Sequence, residues 1–189
     1  MEIMKMRGQP TVPGLHTFRI NTSGVKVFAP AIPNFSVEAP PEHPIKRLKM
    51  GVPKLDEMLG GGLPRGYSLL VAGPSGSGKS ILAATFLAEG ARHGETGVIA
   101  VFEQRPSYSQ NPKLANLIMS GQVGLVDSRA PDLSIDEVVQ LLLSEISRLN
   151  APRVVIDSLS GFELALAPTL REDGRESLSR MATALTGAG

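Results

Sequence analysis

The chain has 189 residues, with no cysteine, no tryptophan and a formal net charge of +1. The length suits one domain plus an additional segment. Absent cysteines exclude disulfides and thiolate metal sites and fit a reducing, cytoplasmic compartment, while the near-neutral charge disfavours nonspecific nucleic-acid binding. His16, His43 and His93 stand singly, which argues against a zinc site. No apolar run approaches the ~18 residues of a membrane span. Glu2 and Lys5 follow Met1 where a signal peptide would carry an apolar stretch, so no leader is expected either.

The stretch "HTFRINTSGVKVF" (16–28) predicts a hairpin. Phe18 and Ile20 alternate with polar residues, the chain turns over Asn21–Gly24, and Val25 and Val27 return. A lone hairpin is barely stable in water, so this one must pack on something. Next, residues 29–44 carry Pro30, Pro33, Pro40, Pro41 and Pro44, the composition of a stiff, extended linker. The expected division is a first segment over 1–32, the linker proper over 33–44, and a domain over 45–189.

Within that domain strands and helices alternate. A short helix is expected from Pro53 to Leu59, stopped by Gly60, Gly61 and Gly62. Tyr67–Ala72 reads as a strand, Ser80–Arg92 as a helix ending at Gly94, and Val98–Phe102 as a buried strand. Val123–Val126 is a weaker strand candidate. Ser134 and Glu137 make a capping box, and the helix they open puts Ile135, Val138, Val139, Leu142, Ile146 and Leu149 on one face. Arg153–Asp157 is another apolar strand, and Leu178, Met181, Ala182 and Leu185 form the stripe of a last helix. This alternation predicts an α/β fold, a mainly parallel sheet with helices on both faces. In such an architecture a helix of that kind leads into another strand, so C-terminal strands are expected to be missing from the chain.

Between the strand over 67–72 and the following helix lies Gly73-Pro74-Ser75-Gly76-Ser77-Gly78-Lys79-Ser80, which fits G-x-x-x-x-G-K-[ST], a phosphate-binding loop. Gly76 and Gly78 can adopt backbone conformations closed to residues with a Cβ, so successive N–H groups can point at an anion. Lys79 would reach the β- and γ-phosphates and the Ser80 hydroxyl would ligate Mg²⁺. The competing reading is a Gly/Ser loop that merely turns the chain, and the strand–loop–helix setting counts against it. Asp157 ends an apolar strand, where a carboxylate can hold the magnesium shell beside Ser80 or simply cap the strand's exit. Glu103 ends the strand after the loop helix. There it would face the γ-phosphate and could orient or deprotonate an attacking water, unless it is only a solvated loop residue.

Four stretches together resemble the RecA-like ATPases of the KaiC type: "GVPKLDEMLGGGLPRG", "GPSGSGKS", "VFEQ" and "RVVIDSLS". The resemblance covers nearly the whole chain. It implies a RecA-like P-loop NTPase fold that binds ATP and Mg²⁺ and assembles as a hexameric ring of identical chains, with ATP at subunit interfaces and with room for regulatory protein partners. Gly76–Ile81 match the family's ATP loop, Ser80 its magnesium ligand and Asp157 its Walker B acid. Glu103 matches the first of two adjacent glutamates, the one assigned as catalytic base, and Gln104 replaces the second. "KMRG" before the hairpin is similar to the end of the first of two tandem domains. There Lys5 and Arg7 match a Lys-x-Arg pair that contacts the γ-phosphate of a neighbouring subunit. The family's phosphorylated Ser and Thr would lie beyond Gly189, which leaves serine/threonine autokinase activity of a full-length protein open. Two other readings stay open: a RecA- or RadA-like DNA-stimulated ATPase, and a non-hydrolysing ATP switch suggested by Gln104.

Overall fold

The computed structural model describes residues 16–28, 46–102, 111–127, 134–165 and 174–186. In chain order, β1 (Thr17–Asn21) and β2 (Gly24–Phe28) form an antiparallel hairpin. The short β3 (Arg47–Leu48) and β4 (Leu63–Pro64) pair across α1 (Pro53–Met58). There follow α2 (Lys79–Arg92), β5 (Gly97–Val101), α3 (Pro112–Met119), β6 (Val123–Asp127), α4 (Ile135–Leu149), β7 (Arg153–Asp157), α5 (Leu159–Ala165) and α6 (Gly174–Thr186). No helix among the described residues is long and apolar enough to cross a membrane.

The central sheet has β5 in the middle, parallel to β6 on one side and to β7 on the other. Its sequence explains that position. Val98, Ile99, Ala100 and Val101 are each at most 1% exposed, so both faces of this strand are covered. Val98 and Ala100 pack with Val138, Val139 and Leu142 of α4, Phe162 of α5 and Met181 of α6. Ile99 and Val101 point the other way, onto Ala84 and Leu87 of α2 and Leu114 of α3. The α4 stripe behaves as its periodicity demands: Ile135, Val138, Val139, Leu142 and Ile146 are buried, and Leu149 packs beside them partly covered. Ser134 caps this helix by accepting from the Glu137 N–H at 3.2 Å.

Four elements go beyond the expected set. The β3–β4 ladder is too short to show a pattern, and α5 is a seven-residue helix whose N-cap is Ser158, which accepts from the Gly161 N–H at 3.2 Å. The third helix, α3, also carries a capping signal, since Asn111 accepts from the Lys113 and Leu114 N–H groups and Pro112 occupies the first turn.

One expected element is corrected. Tyr67–Ala72 is not a strand: these residues have no regular secondary structure, and Leu69, Leu70 and Val71 are exposed, Leu70 to 73%. An apolar run reports a tendency to be buried, but a strand also needs a ladder partner. Among the described residues none pairs with this run, and β7 is bonded to β5 on one side only.

The hairpin packs on α4. Thr17 Oγ1 donates to Ser134 Oγ at 2.8 Å, and the Arg19 guanidinium meets the Glu137 carboxylate at 2.6 Å. Ser23 N–H donates to Asn21 Oδ1 in the turn, and Phe28 is buried.

A buried arginine ties the other side together. Arg153, the first residue of β7, is 2% exposed. Its Nε and Nη2 donate to Glu95 Oε2 at 2.9 and 2.8 Å, and its Nη1 donates to the carbonyls of Lys49 at 2.7 Å and Phe86 at 2.9 Å. The guanidinium also lies 4.5 Å over the Phe86 ring. Burial pushes the Glu95 carboxyl pKa up, but hydrogen bonds and charge contacts with Arg153 and Lys46 outweigh it and hold Glu95 below the ordinary glutamate value. Gly90 leaves the room for this arginine: a Cβ there would run into Arg153 Nε and Cδ.

Gly90→Ala gives a sharp test. Inside an ordinary helix the change stabilises by ~1 kcal/mol. Here it must displace a buried, fully bonded guanidinium, so the melting temperature followed by circular dichroism is expected to fall. A rise would mean that Arg153 is not held as described.

Candidate functional site

The loop 73–78 lies exposed ahead of α2. Gly76 has φ +81° and Gly78 φ +90°, and Gly78 is the N-cap residue of α2. Only glycine takes such backbone angles without strain. A side chain at Gly73 would meet Ser77 Oγ at 2.8 Å, so the Ser77 hydroxyl would have to turn away.

The end of α2 that this loop enters differs from the starts of α3 and α4. No side chain caps it and no acidic residue lies in its first turn. Asn111 caps α3, while Ser134, Asp136 and Glu137 occupy the start of α4. An uncapped helix start presents N–H donors and the positive end of the helix dipole. Lys79 adds a full charge at the same place, its Nζ donating to the Gly73 and Pro74 carbonyls at 2.8 Å each. An ammonium has three donors, so one remains beyond these two bonds. Every feature of this end favours an anion.

Backbone rise relates Ser80 and Asp157 through their distances from the Arg153 contact with α2. Arg153 opens β7 and contacts Phe86 and Gly90 in the later part of α2, so helix and strand run antiparallel. From Arg153 to Asp157 the strand advances ~13 Å, and from Gly90 back to Ser80 the helix advances ~15 Å. Both residues thus arrive at about the same level. Strand register adds a neighbour that the sequence pattern did not single out: Asp127 of β6 and Asp157 of β7 both align with Val101 of β5. The apolar run Val123–Val126 stops one residue short of the end of β6. The signal was the same apolar-run-then-aspartate that marked Asp157.

A hydroxyl and a carboxylate form an oxygen donor set of the kind Mg²⁺ takes, since that ion keeps several waters and is held by one or two carboxylates with substrate phosphates. No group of three or more His, Cys, Asp or Glu among the described residues could hold a metal by itself. Gly73, Ser75, Gly76, Ser77, Gly78, Lys79, Ser80 and Ile81 form one continuous loop and helix start, whereas Glu103, Gln104, Lys5 and Arg7 lie outside the described residues. A cavity of about 350 Å³ lies at the other end of α2, lined by Lys49, Gly51, Pro53, Asp56, Glu89 and Arg92. Two of its charged residues are engaged, Arg92 with Glu89 and Asp56 with the Met50 N–H.

Residues 48–189 match the family model for the KaiC ATPase, well over half of the chain. The chain belongs to the KaiC ATPase family. Its α/β sheet with helices on both faces is accordingly that of a RecA-like P-loop NTPase core. The circadian clock oscillator protein KaiC of Rippkaea orientalis is 31% identical over 165 residues, covering 84% of this chain and 31% of that protein. The same protein of a Picosynechococcus species is 31% identical over 166 residues, covering 85% and 31%. The circadian clock oscillator protein KaiC 1 of a Synechocystis species is 30% identical over 166 residues, again covering 85% and 31%. The chain therefore spans under a third of the length of these curated relatives.

Proposed function

We propose that this KaiC-family chain binds ATP with Mg²⁺ at the loop 73–80 and, within a KaiC-type hexameric ring, hydrolyses it. The observation that carries the reading is the glycine-turned loop, which delivers Lys79 and an uncapped helix start to one point. In this account the N–H groups from Gly73 to Ile81 and the Lys79 ammonium hold the phosphates. Ser80 and Asp157 hold Mg²⁺, which when bound would neutralise phosphate charge. Glu103 orients and deprotonates the attacking water. Gln104, in place of the family's second glutamate, cannot ionise, so it bears on the level of turnover and not on ATP binding.

The same reading assigns residues 1–32 to the end of a preceding RecA-like domain, 33–44 to a linker and 45–189 to the ATPase domain. Lys5 and Arg7 then serve the ATP of that preceding domain rather than the loop at 73–80. The weak net charge supports ATP turnover without nucleic acid.

Calorimetric titration of ATP with Mg²⁺ tests the binding step. Lys79→Ala removes a charge-assisted contact worth ~1.5–3 kcal/mol, so affinity is expected to fall about 10- to 100-fold; an unchanged affinity rejects the loop as the site. Turnover is tested separately in the assembled ring. Glu103→Gln is nearly isosteric but cannot take a proton, and the rate is expected to fall ~10²–10⁴-fold with ATP affinity kept. A mutant working at the parent rate excludes Glu103 as the base, and a rate that rises with single-stranded DNA would favour the DNA-stimulated alternative.

A further inference from the structure

Arg153 lies at the opposite end of β7 from Asp157, and no part of the proposed chemistry uses it. Its contacts nevertheless join the two elements that carry the metal-binding groups. It is covalently part of β7, four residues before Asp157. Through Nη1 it grips the Phe86 carbonyl of α2, and through its side-chain stem it fills the notch left by Gly90 of the same helix. Through Glu95 and the Lys49 carbonyl it fixes the turn after α2 and the strand region before α1 against the same point.

We propose that Arg153 is a positioning residue for the metal half of the nucleotide site: by pinning α2 to β7 at their far ends, it sets the separation of Ser80 on the helix from Asp157 on the strand. This rests on the nucleotide reading above. The loop's own contribution is local. Its N–H groups and Lys79 lie on one continuous stretch, so they keep their mutual geometry however the helix sits on the sheet. The pair Ser80 and Asp157 is different, because its members are 77 positions apart in sequence (157 minus 80) and meet only through packing. Releasing the clamp lets α2 slide or roll on β7. A misplacement of ~1 Å caused far from the chemistry can cost ~10²-fold in rate, and metal contacts depend on position in the same way.

This predicts a specific asymmetry. ATP affinity measured without metal, in EDTA, depends on the loop and should change less than about threefold in Arg153→Met. The additional affinity conferred by Mg²⁺ depends on Ser80 and Asp157 together and should fall about tenfold or more, as for the loss of one charged contact. The experiment is calorimetric titration of ATP into the chain in EDTA and in Mg²⁺, at a temperature where circular dichroism shows each variant folded. Arg153→Lys keeps a cation but cannot make the fork to Glu95 while reaching both carbonyls, so it should lose part of the Mg²⁺ gain. It decides the matter if Arg153→Met does not fold. Equal losses in EDTA and Mg²⁺, or a full Mg²⁺ gain in the folded variants, overturn the positioning role and leave the functional reading standing. A parent chain that binds no ATP in either condition overturns both.

Discussion

The Arg153 guanidinium carries a full charge in a site almost closed to water, and removing an ion from water costs several kcal/mol even after the protein relaxes. The site offsets that cost with a forked contact to Glu95, two backbone carbonyls and the face of Phe86. Each partner comes from a different part of the chain, so the arginine is satisfied only when β7, α2, the turn after α2 and the segment before α1 are all in place. Breaking such a pair by removing one partner typically costs ~3–5 kcal/mol, because the other charge stays buried. The clamp thereby makes the arrangement of these elements close to all-or-none.

That constraint gives the site its division of labour. At the clamped end Arg153 is buried and fully bonded, and the glycine at 90 is dictated by it. At the other end the loop 73–78 and the run before it are exposed, and their conformation is set by glycine torsions and two lysine hydrogen bonds. A rigid base under an open loop suits a phosphate ligand, which supplies the missing charge and accepts the N–H donors of the helix start.

Much of this was legible in the sequence, for a physical reason. A strand buried on both faces must be apolar throughout, so β5 announces itself, the half-buried β7 shows a similar apolar run, and the 3.6-residue stripe of α4 leaves only one face for the sheet. The loop was legible because its glycines and lysine are required individually by torsion and charge. Other features left no local trace. Arg153 at the start of a strand looks like an ordinary solvated end, and Glu95 looks like a turn residue; their pairing spans 58 positions and exists only after packing. Tyr67–Ala72 was over-read because hydrophobicity signals burial without naming a ladder partner. The hairpin at 17–28 was correctly outlined, whereas its seat on Ser134 and Glu137 is a tertiary contact that no spacing encodes.

A crystal structure of the chain with ATP and Mg²⁺ would test most directly the claim that one clamp brings the two halves of the site together. The account predicts the triphosphate at the start of α2, Lys79 turned toward it, and Ser80 and Asp157 on the same magnesium shell, with Arg153 still bonded to Glu95 and to the Phe86 carbonyl. A nucleotide bound elsewhere, such as the cavity beside Lys49 and Glu89, would contradict it. So would a magnesium shell that leaves Asp157 out while the Arg153 contacts remain intact.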